Sequence, residues 1–134
     1  MHSTIHNITF DCADAQAQAM FWASVTGGTA HERDATPGHV EYAVESPTPG
    51  VPRLYFTTVP EPKQGKNRLH LDIVPLDAGL SEEEQFEEEQ SDDWQRAELA
   101  RLVSLGATVL PDQPPGVGWI VMADPEGNEL CLEG

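Results

Sequence analysis

Two short motifs place chemically active side chains two residues apart, in runs that alternate polar and apolar residues. They are His70 with Asp72, and Glu129 with Cys131. Residues i and i+2 of a β-strand lie on the same face of a sheet, so each pair is expected to project to one side. Histidine can act as a general base near neutral pH, and a neighbouring carboxylate raises its basicity. We therefore predict His70 as the catalytic base, assisted by Asp72 or Glu129. A histidine bonded to the sheet for structural reasons would give the same pattern.

Four other side chains are candidates for contact with a ligand. Trp119 and Tyr55 offer flat aromatic walls for a ring-bearing molecule. Arg68 could bind a carboxylate or phosphate through two parallel hydrogen bonds, or it could pair with the surplus acidic residues. Cys131 could act as a nucleophile if its thiolate were stabilised, although cysteines in strands are more often packing residues.

The composition limits the class of protein. The chain has 134 residues, which suits one domain, and its 23 acidic and 7 basic residues give a net charge of −16. So acidic a chain is unsuited to nucleic acid, whose phosphates require a basic surface. Its apolar runs are too short to span a membrane, and residues 1–10 lack the pattern of a secretion signal. Because there are only two cysteines, we expect a soluble, reduced, cytoplasmic protein.

The periodicity of apolar residues predicts two similar halves. Strands are predicted at 6–12, 29–34, 39–44 and 53–59, and again at 68–73, 108–110, 119–123 and 129–132. A type I turn is predicted at 124–128, because Asp, Pro and Gly occupy the positions that this turn prefers. With one helix in each half, both halves follow the order strand, helix, strand, strand, strand. We therefore predict one domain of two modules, at about 4–60 and 67–134.

The two helices are predicted from their ends and their apolar stripes. The first begins after Asp14, runs to about residue 25 and ends at Gly27, whereas the second spans 92–105 and ends at Gly106. The predicted buried residues are Met20, Phe21 and Val25 in the first helix, and Leu99, Leu102 and Val103 in the second. An acidic insertion at 81–93 precedes the second helix. Such a run is typical of a solvated surface segment, and a partner-binding role is the alternative.

Five stretches carry a resemblance to a known family. They are 7–14, 21–22, 66–72, 105–107 and 124–129, of which the Asp-Pro-Glu-Gly-Asn hairpin at 124–128 is the most specific. Together they resemble the glyoxalase/bleomycin resistance protein/dioxygenase superfamily, also called the vicinal oxygen chelate superfamily, in its glyoxalase-like branch. The resemblance covers nearly the whole chain except the acidic insertion. It implies an α+β fold of two βαβββ modules that form an eight-stranded, open, barrel-like cup with the helices outside.

The resemblance also implies that the ligand site lies on the face of each sheet away from the helices. Strand alternation places apolar residues such as Phe10, Phe56 and Leu130 under the helices, so their polar neighbours are expected to line the cup. A shift of one residue in the register of a strand would exchange its two faces. The predicted ligand-binding residues are Asn7, Thr9, Tyr55, Thr57, Arg68, Trp119 and Cys131.

Metal-dependent members of the superfamily carry His or Glu at four strand positions. These positions fall here on Asn7, near Tyr55, on His70 and on Cys131. Only His70 is a standard ligand for a hard metal ion, and a stable divalent site requires three or four His or carboxylate ligands. We therefore expect no cofactor. If a divalent ion were bound, His70 and Glu129 would be its first ligands.

Two functions follow from these expectations. The first is a small-molecule-binding protein that holds its ligand in the cup without catalysis, as resistance proteins of the superfamily do. The second is a lyase or isomerase of the glyoxalase type that uses His70 as its general base. Because the usual metal positions are altered, the binding function is favoured. The resemblance also implies a homodimer.

Overall fold

The computed structural model describes residues 1–76 and 92–134, in two compact units of chain. Unit 1 comprises Met1–Gln64 and unit 2 comprises Gly65–Gly134. Each unit contains a four-stranded sheet and, among the described residues, one helix, so the predicted α+β class is confirmed. Residues 81–91 of the predicted acidic insertion lie outside the described residues. No helix in the described ranges is both long enough and apolar enough to cross a membrane.

Unit 1 contains the first helix and the first sheet. Its elements are β1 (Asn7–Cys12), α1 (Ala15–Thr26), β2 (Thr29–Thr36), β3 (His39–Glu45) and β4 (Arg53–Thr58). The strand order is β1-β4-β3-β2, with β1 parallel to β4 and the other neighbours antiparallel. β2 extends two residues beyond the prediction because it continues to pair with β3 up to Thr36 opposite His39.

Helix α1 packs on one face of this sheet. Its first turn is capped by Asp14, whose side chain accepts a hydrogen bond from the Ala17 amide at 2.9 Å, and Gly27 ends it at a φ of 67°. Trp22 reaches the sheet, where its ring centroid lies 5.3 Å from that of Phe10. Phe10 in turn stacks on Phe56 at 5.0 Å. The apolar face of the sheet therefore lies under the helix, as strand alternation predicts.

The prediction that Met20 is buried was wrong, since this residue is 57% exposed. The buried stripe of α1 consists of Ala15, Gln18, Ala19, Phe21 and Trp22. Small alanine side chains let the helix approach the sheet closely. Met20 lies about 200° around the helix axis from Trp22, at 100° per residue, and therefore faces solvent.

Unit 2 contains the second sheet. Its described elements are β5 (Leu71–Ile73), α2 (Asp92–Leu105), β6 (Thr108–Val109), β7 (Ile120–Ala123) and β8 (Glu129–Leu132). The strand order is β5-β8-β7-β6, with β5 parallel to β8 and the remaining pairs antiparallel. The bounds of α2 match the prediction, and Leu102 is fully buried; Val103 is 47% exposed, so its predicted burial was wrong. β5 is shorter than predicted, and His70 lies just before it.

The turn between β7 and β8 is organised by a buried carboxylate. Asp124 is 2% exposed, and its Oδ1 accepts hydrogen bonds from the amides of Glu126 at 2.9 Å and Asn128 at 3.0 Å. Its carbonyl oxygen accepts from the amide of Gly127, whose φ is 86°. The predicted turn is therefore confirmed. It sets the register in which Cys131 lies opposite Val121.

Candidate ligand groove of unit 2

The pairing of β5 with β8 brings two predicted site residues together. Asp72 and Cys131 are Cα partners across the parallel ladder, between the pairs Leu71–Leu130 and Ile73–Leu132. Leu130 and Leu132 are fully buried. Because side chains alternate along a strand, Cys131 and Asp72 lie on the opposite face of the sheet.

His70 forms a close pair with Asp72 on this face. Its Nδ1 atom lies 2.8 Å from Oδ1 of Asp72, and the side chains are 43% and 50% exposed. A carboxylate accepts hydrogen bonds only, so the pair requires a proton on Nδ1. In the neutral ring, Nε2 is then left as an acceptor. The carboxylate therefore fixes the tautomer and leaves one basic nitrogen for a ligand.

Cys131 lies beside this pair but is a poor nucleophile. Its Sγ atom is 4.0 Å from Nδ1 of His70. The pKa of the thiol is raised, first by burial and then by the charge of Asp72 and a hydrogen bond with it, with a smaller effect of Glu133; the charge of Lys66 acts in the other direction. A raised pKa keeps the sulfur in its unreactive thiol form at neutral pH. The packing role is thus favoured over the nucleophilic one.

These side chains line an open groove of about 860 Å³ within unit 2. A cavity of this size falls in the range of ordinary small-molecule sites, about 300–1,000 Å³. Trp119, which is 39% exposed, forms part of its wall. The lining residues are Lys66, His70, Asp72, Leu110, Asp112, Gln113, Pro114, Trp119, Val121, Glu129, Cys131 and Glu133. The groove thus brings together five predicted site residues: His70, Asp72, Trp119, Glu129 and Cys131. Arg68 is exposed and does not line it.

Sequence reasoning missed Gln113, which shapes one wall of the groove. Its side chain donates to the carbonyl oxygens of Leu110 at 2.7 Å and Val121 at 2.8 Å, and accepts from the amide of Val121 at 2.9 Å. The side-chain carboxamide of Gln113 therefore holds the loop that precedes β7 against the strand itself. Gln113 lies in a loop, where strand alternation gives no signal. The neighbouring prolines are the only local signal in the sequence there, and they favour a turn without indicating a ligand site.

Glu129 has a structural partner within the groove. Its Oε2 atom accepts a hydrogen bond from the amide of Asn67 at 2.9 Å. The carboxylate thus holds the segment that leads to His70. This contact suits a residue that positions the segment before β5.

The remaining predicted site residues lie in unit 1. Oδ1 of Asn7 accepts a hydrogen bond from Nε of Arg53 at 2.9 Å, and the hydroxyl of Tyr55 donates to Oε2 of Glu41 at 2.5 Å. The pKa of Tyr55 is raised, first by the hydrogen bond to Glu41 and then by burial. Thr9 and Thr57 are on the same sheet, as the Cα partners of Tyr55 and Glu41 respectively.

Two of the four positions that the resemblance implied for metal, Asn7 and Tyr55, do not suit a metal ion here. The side-chain oxygens of Asn7 and Tyr55 are engaged with Arg53 and Glu41, and the guanidinium beside Asn7 would repel a cation. The other two positions, His70 and Cys131, lie in unit 2 beside Asp72. One donor atom each from His70, Asp72 and Cys131 lie within 4.8 Å of one another, so these residues form a group of three potential ligands. Nitrogen, carboxylate and thiolate donors suit a borderline ion such as Zn²⁺ better than Mg²⁺ or Ca²⁺.

Two four-stranded sheets, each with a helix and with polar side chains on one face, define an α+β protein of two similar units. The chain belongs to the glyoxalase-like domain family, whose sequence model matches residues 7–133. The predicted family is therefore confirmed.

Solved structures share the fold at low sequence identity. The fosfomycin resistance protein FosX from Mesorhizobium loti is 15% identical with a TM-score of 0.65, covering 99% of this chain and 92% of its own. A mutant of FosX from Listeria monocytogenes, complexed with Mn(II) and 1S,2S-dihydroxypropylphosphonic acid, is 15% identical with a TM-score of 0.66, covering 99% and 93%. Trypanothione-dependent glyoxalase I from Leishmania major is 13% identical with a TM-score of 0.65, covering 99% and 87%. No curated protein matches this chain at a significant level.

Proposed function

We propose that this chain is a small-molecule-binding protein of the glyoxalase-like kind, whose ligand occupies the groove of unit 2. The observation that carries this proposal is the hydrogen-bonded pair of His70 and Asp72, which lies in an open groove of about 860 Å³ beside Trp119. A groove with an aromatic wall and a few converging polar groups is typical of ligand sites in proteins.

The lining suggests a ligand with an apolar body and one polar end. Apolar side chains from Leu110, Pro114, Trp119 and Val121 would contact the body, whereas Nε2 of His70 would accept a hydrogen bond from the polar end. Both contacts are favourable for a ring that carries a hydroxyl or an N–H group, because the ring can stack on the indole while its donor reaches the imidazole.

A binding screen with two variants and two controls tests this proposal. We expect His70→Ala and Trp119→Ala each to lower the affinity for a ligand found in the screen by about tenfold or more, which corresponds to about 1.4 kcal/mol of binding free energy. The controls are His2→Ala, which changes an exposed histidine near the N-terminus, and Trp94→Phe, which changes a tryptophan of α2 that does not line the groove. Calorimetry gives the affinity. A ligand that binds both groove variants as tightly as it binds the unaltered protein would show that the groove is not its site.

The second candidate is a lyase or isomerase in which His70 removes a proton. The observation that favours it is the same pair, because Asp72 holds a proton on Nδ1 and leaves Nε2 as a base. A positioned general base commonly contributes about 10²- to 10⁴-fold to a rate. If His70→Ala lowers the turnover rate by this factor and Asp72→Asn lowers it less, the result would support an enzyme rather than a protein that only binds its ligand. Glu129 would then act as a positioning residue through Asn67.

We propose that the ligand binds without the metal of the usual superfamily site, because Asn7 and Tyr55 are committed to other partners. Metal analysis of untagged protein tests this. Less than about 0.1 ion per chain would support the proposal. A full equivalent that is lost in both His70→Ala and Cys131→Ser would overturn it, and would assign the ion to the group of His70, Asp72 and Cys131.

Family membership supports three broader proposals. We propose that the two sheets together form one open, eight-stranded cup, that the chain is a homodimer, and that it acts in the cytoplasm. Both cysteines are described in the structure and neither forms a disulfide, as expected for a protein of a reducing compartment. Sedimentation equilibrium tests the dimer, since a mass near 14.6 kDa at micromolar concentration would contradict it. Small-angle scattering tests the cup, and fractionation of the source cells tests the location.

A further inference from the structure

A preorganised arginine lies on the sheet of unit 1, and it is not among the residues that line the groove of unit 2. Arg53 is the Cα partner of Asn7 across the parallel pair β1–β4. Its Nε donates to Oδ1 of Asn7 at 2.9 Å, and one of its terminal nitrogens lies 3.1 Å from Nε2 of His6. Its Cζ atom is 5.6 Å from the ring centroid of Tyr55. Two hydrogen bonds and a ring contact therefore fix the plane of the guanidinium.

The partners of Arg53 do not neutralise its charge. Asn7 is a neutral acceptor, and in unit 1, where every residue is described, no carboxylate oxygen lies within 4.0 Å of the guanidinium. Such an environment is unexpected in a chain with 23 acidic and 7 basic residues, where most arginines could find an acidic neighbour. Burying part of an arginine costs desolvation, and a carboxylate partner ordinarily offsets that cost.

Arg33 is a second cation close enough to Tyr55 to affect its pKa. The pKa of Tyr55 is raised by its hydrogen bond to Glu41, by burial and by the charge of Glu41, whereas the charges of Arg33 and Arg53 have smaller effects in the other direction. One acid on this face is Glu41, whose carboxylate accepts from Tyr55 at 2.5 Å and lies 3.2 Å from Nε2 of His39. Glu41 is therefore already engaged by two donors.

We propose that Arg53 forms an oxyanion-binding subsite, which takes a carboxylate or phosphate group of a small molecule. A guanidinium has five N–H bonds, and Asn7 and His6 engage two of them. Three remain on the two terminal nitrogens, and they can bind a planar or tetrahedral oxyanion through parallel hydrogen bonds. This subsite lies in unit 1 and does not depend on the groove of unit 2.

Titration of ¹⁵N-labelled protein with sodium acetate and with inorganic phosphate tests the subsite. We expect the Nε–H resonance of Arg53 to move and to reach a plateau, whereas that of Arg96, which pairs with Asp93 at 3.4 Å on α2, should not move. A plateau with acetate but not phosphate would assign the subsite to carboxylates, and the reverse result to phosphates. If neither anion shifts the Arg53 resonance more than the Arg96 resonance, the proposal is overturned.

Asn7→Asp is the decisive variant because it keeps the acceptor and adds a charge. The new carboxylate would pair with the guanidinium and compete with an external anion, so we expect the anion affinity to fall at least tenfold while the protein stays folded. Arg53→Gln should abolish the response, and Arg96→Gln should leave it unchanged. If Arg53 has only a structural role, Asn7→Asp should give a more stable protein in which the response of the Arg53 resonance to added anion does not change. If Arg53→Gln does not fold, Asn7→Asp alone decides between the two.

Discussion

Asp72 is bonded to His70 and is also the Cα partner of Cys131, so one carboxylate influences both neighbours. Its charge and its hydrogen bond help to raise the pKa of the thiol, after the larger effect of burial. The same carboxylate holds the imidazole in the tautomer that leaves Nε2 available. At this scale, the sequence predicted correctly that His70 and Asp72 would be close. It could not predict that Asp72 would suppress the reactivity of Cys131, since that depends on the β5–β8 register.

We expect Asp72→Asn to make Cys131 more reactive. Removing the negative charge lowers the pKa of the thiol, so more thiolate is present at a given pH below that pKa. A decrease of one unit in the thiol pKa gives about tenfold more thiolate. Because a thiolate of lower pKa is also less nucleophilic, the labelling rate should rise only about threefold for each such unit. Iodoacetamide labelling at pH 8, followed by mass spectrometry of the separate peptides, measures the rate. Cys12 is 1% exposed and serves as the unreactive internal reference. Asp112→Asn, which neutralises another acid of the groove, is the control; equal rates in both variants would contradict the prediction.

At the scale of the elements, strand alternation was the most reliable signal. It predicted which faces of β4 and β8 are buried, as the full burial of Phe56, Leu130 and Leu132 shows. Helix faces were harder to predict, because α1 approaches its sheet through alanines, whose small side chains give a weak periodic signal. Met20 and Val103 are large apolar residues, and their size alone suggested burial that the packing does not provide.

The β7–β8 turn links the elements to the site, so its buried carboxylate is a sensitive test. We expect Asp124→Ala to lower the free energy of unfolding by about 2 kcal/mol, because the amides of Glu126 and Asn128 would lose their acceptor in a buried setting. Urea denaturation measures the change. Asp124→Asn retains one carbonyl oxygen and should cost less. The matched control is Asp93→Ala on the exposed surface of α2, which should change stability by less than about 0.5 kcal/mol. A loss in Asp124→Ala no larger than in this control would refute the role of the turn.

At the scale of the whole molecule, the internal repeat and the five matching stretches were sufficient to predict the α+β class and the family. They were not sufficient to predict the ligand, because structures at 13–15% identity share only the fold with this chain. The polar groups of each unit are specific to this sequence. In unit 1 the position expected to hold a metal ligand is Asn7, which orients an arginine. In unit 2 the equivalent position is His70, which lies just before β5 beside a carboxylate.

The net charge of −16 leads to a prediction for the whole chain. Like charges repel one another more strongly in the compact state than in the unfolded chain, so screening them should stabilise the fold. Raising NaCl from about 0.01 M to about 1 M shortens the Debye length from about 30 Å to about 3 Å. We therefore expect the midpoint of urea unfolding at pH 7 to rise across this range. Replacing the exposed Glu45 and Glu61 with glutamine should make that rise smaller, because less repulsion remains to be screened. A midpoint that falls with salt would mean that attractive pairs such as Arg101–Glu98, at 2.7 Å, outweigh the repulsion.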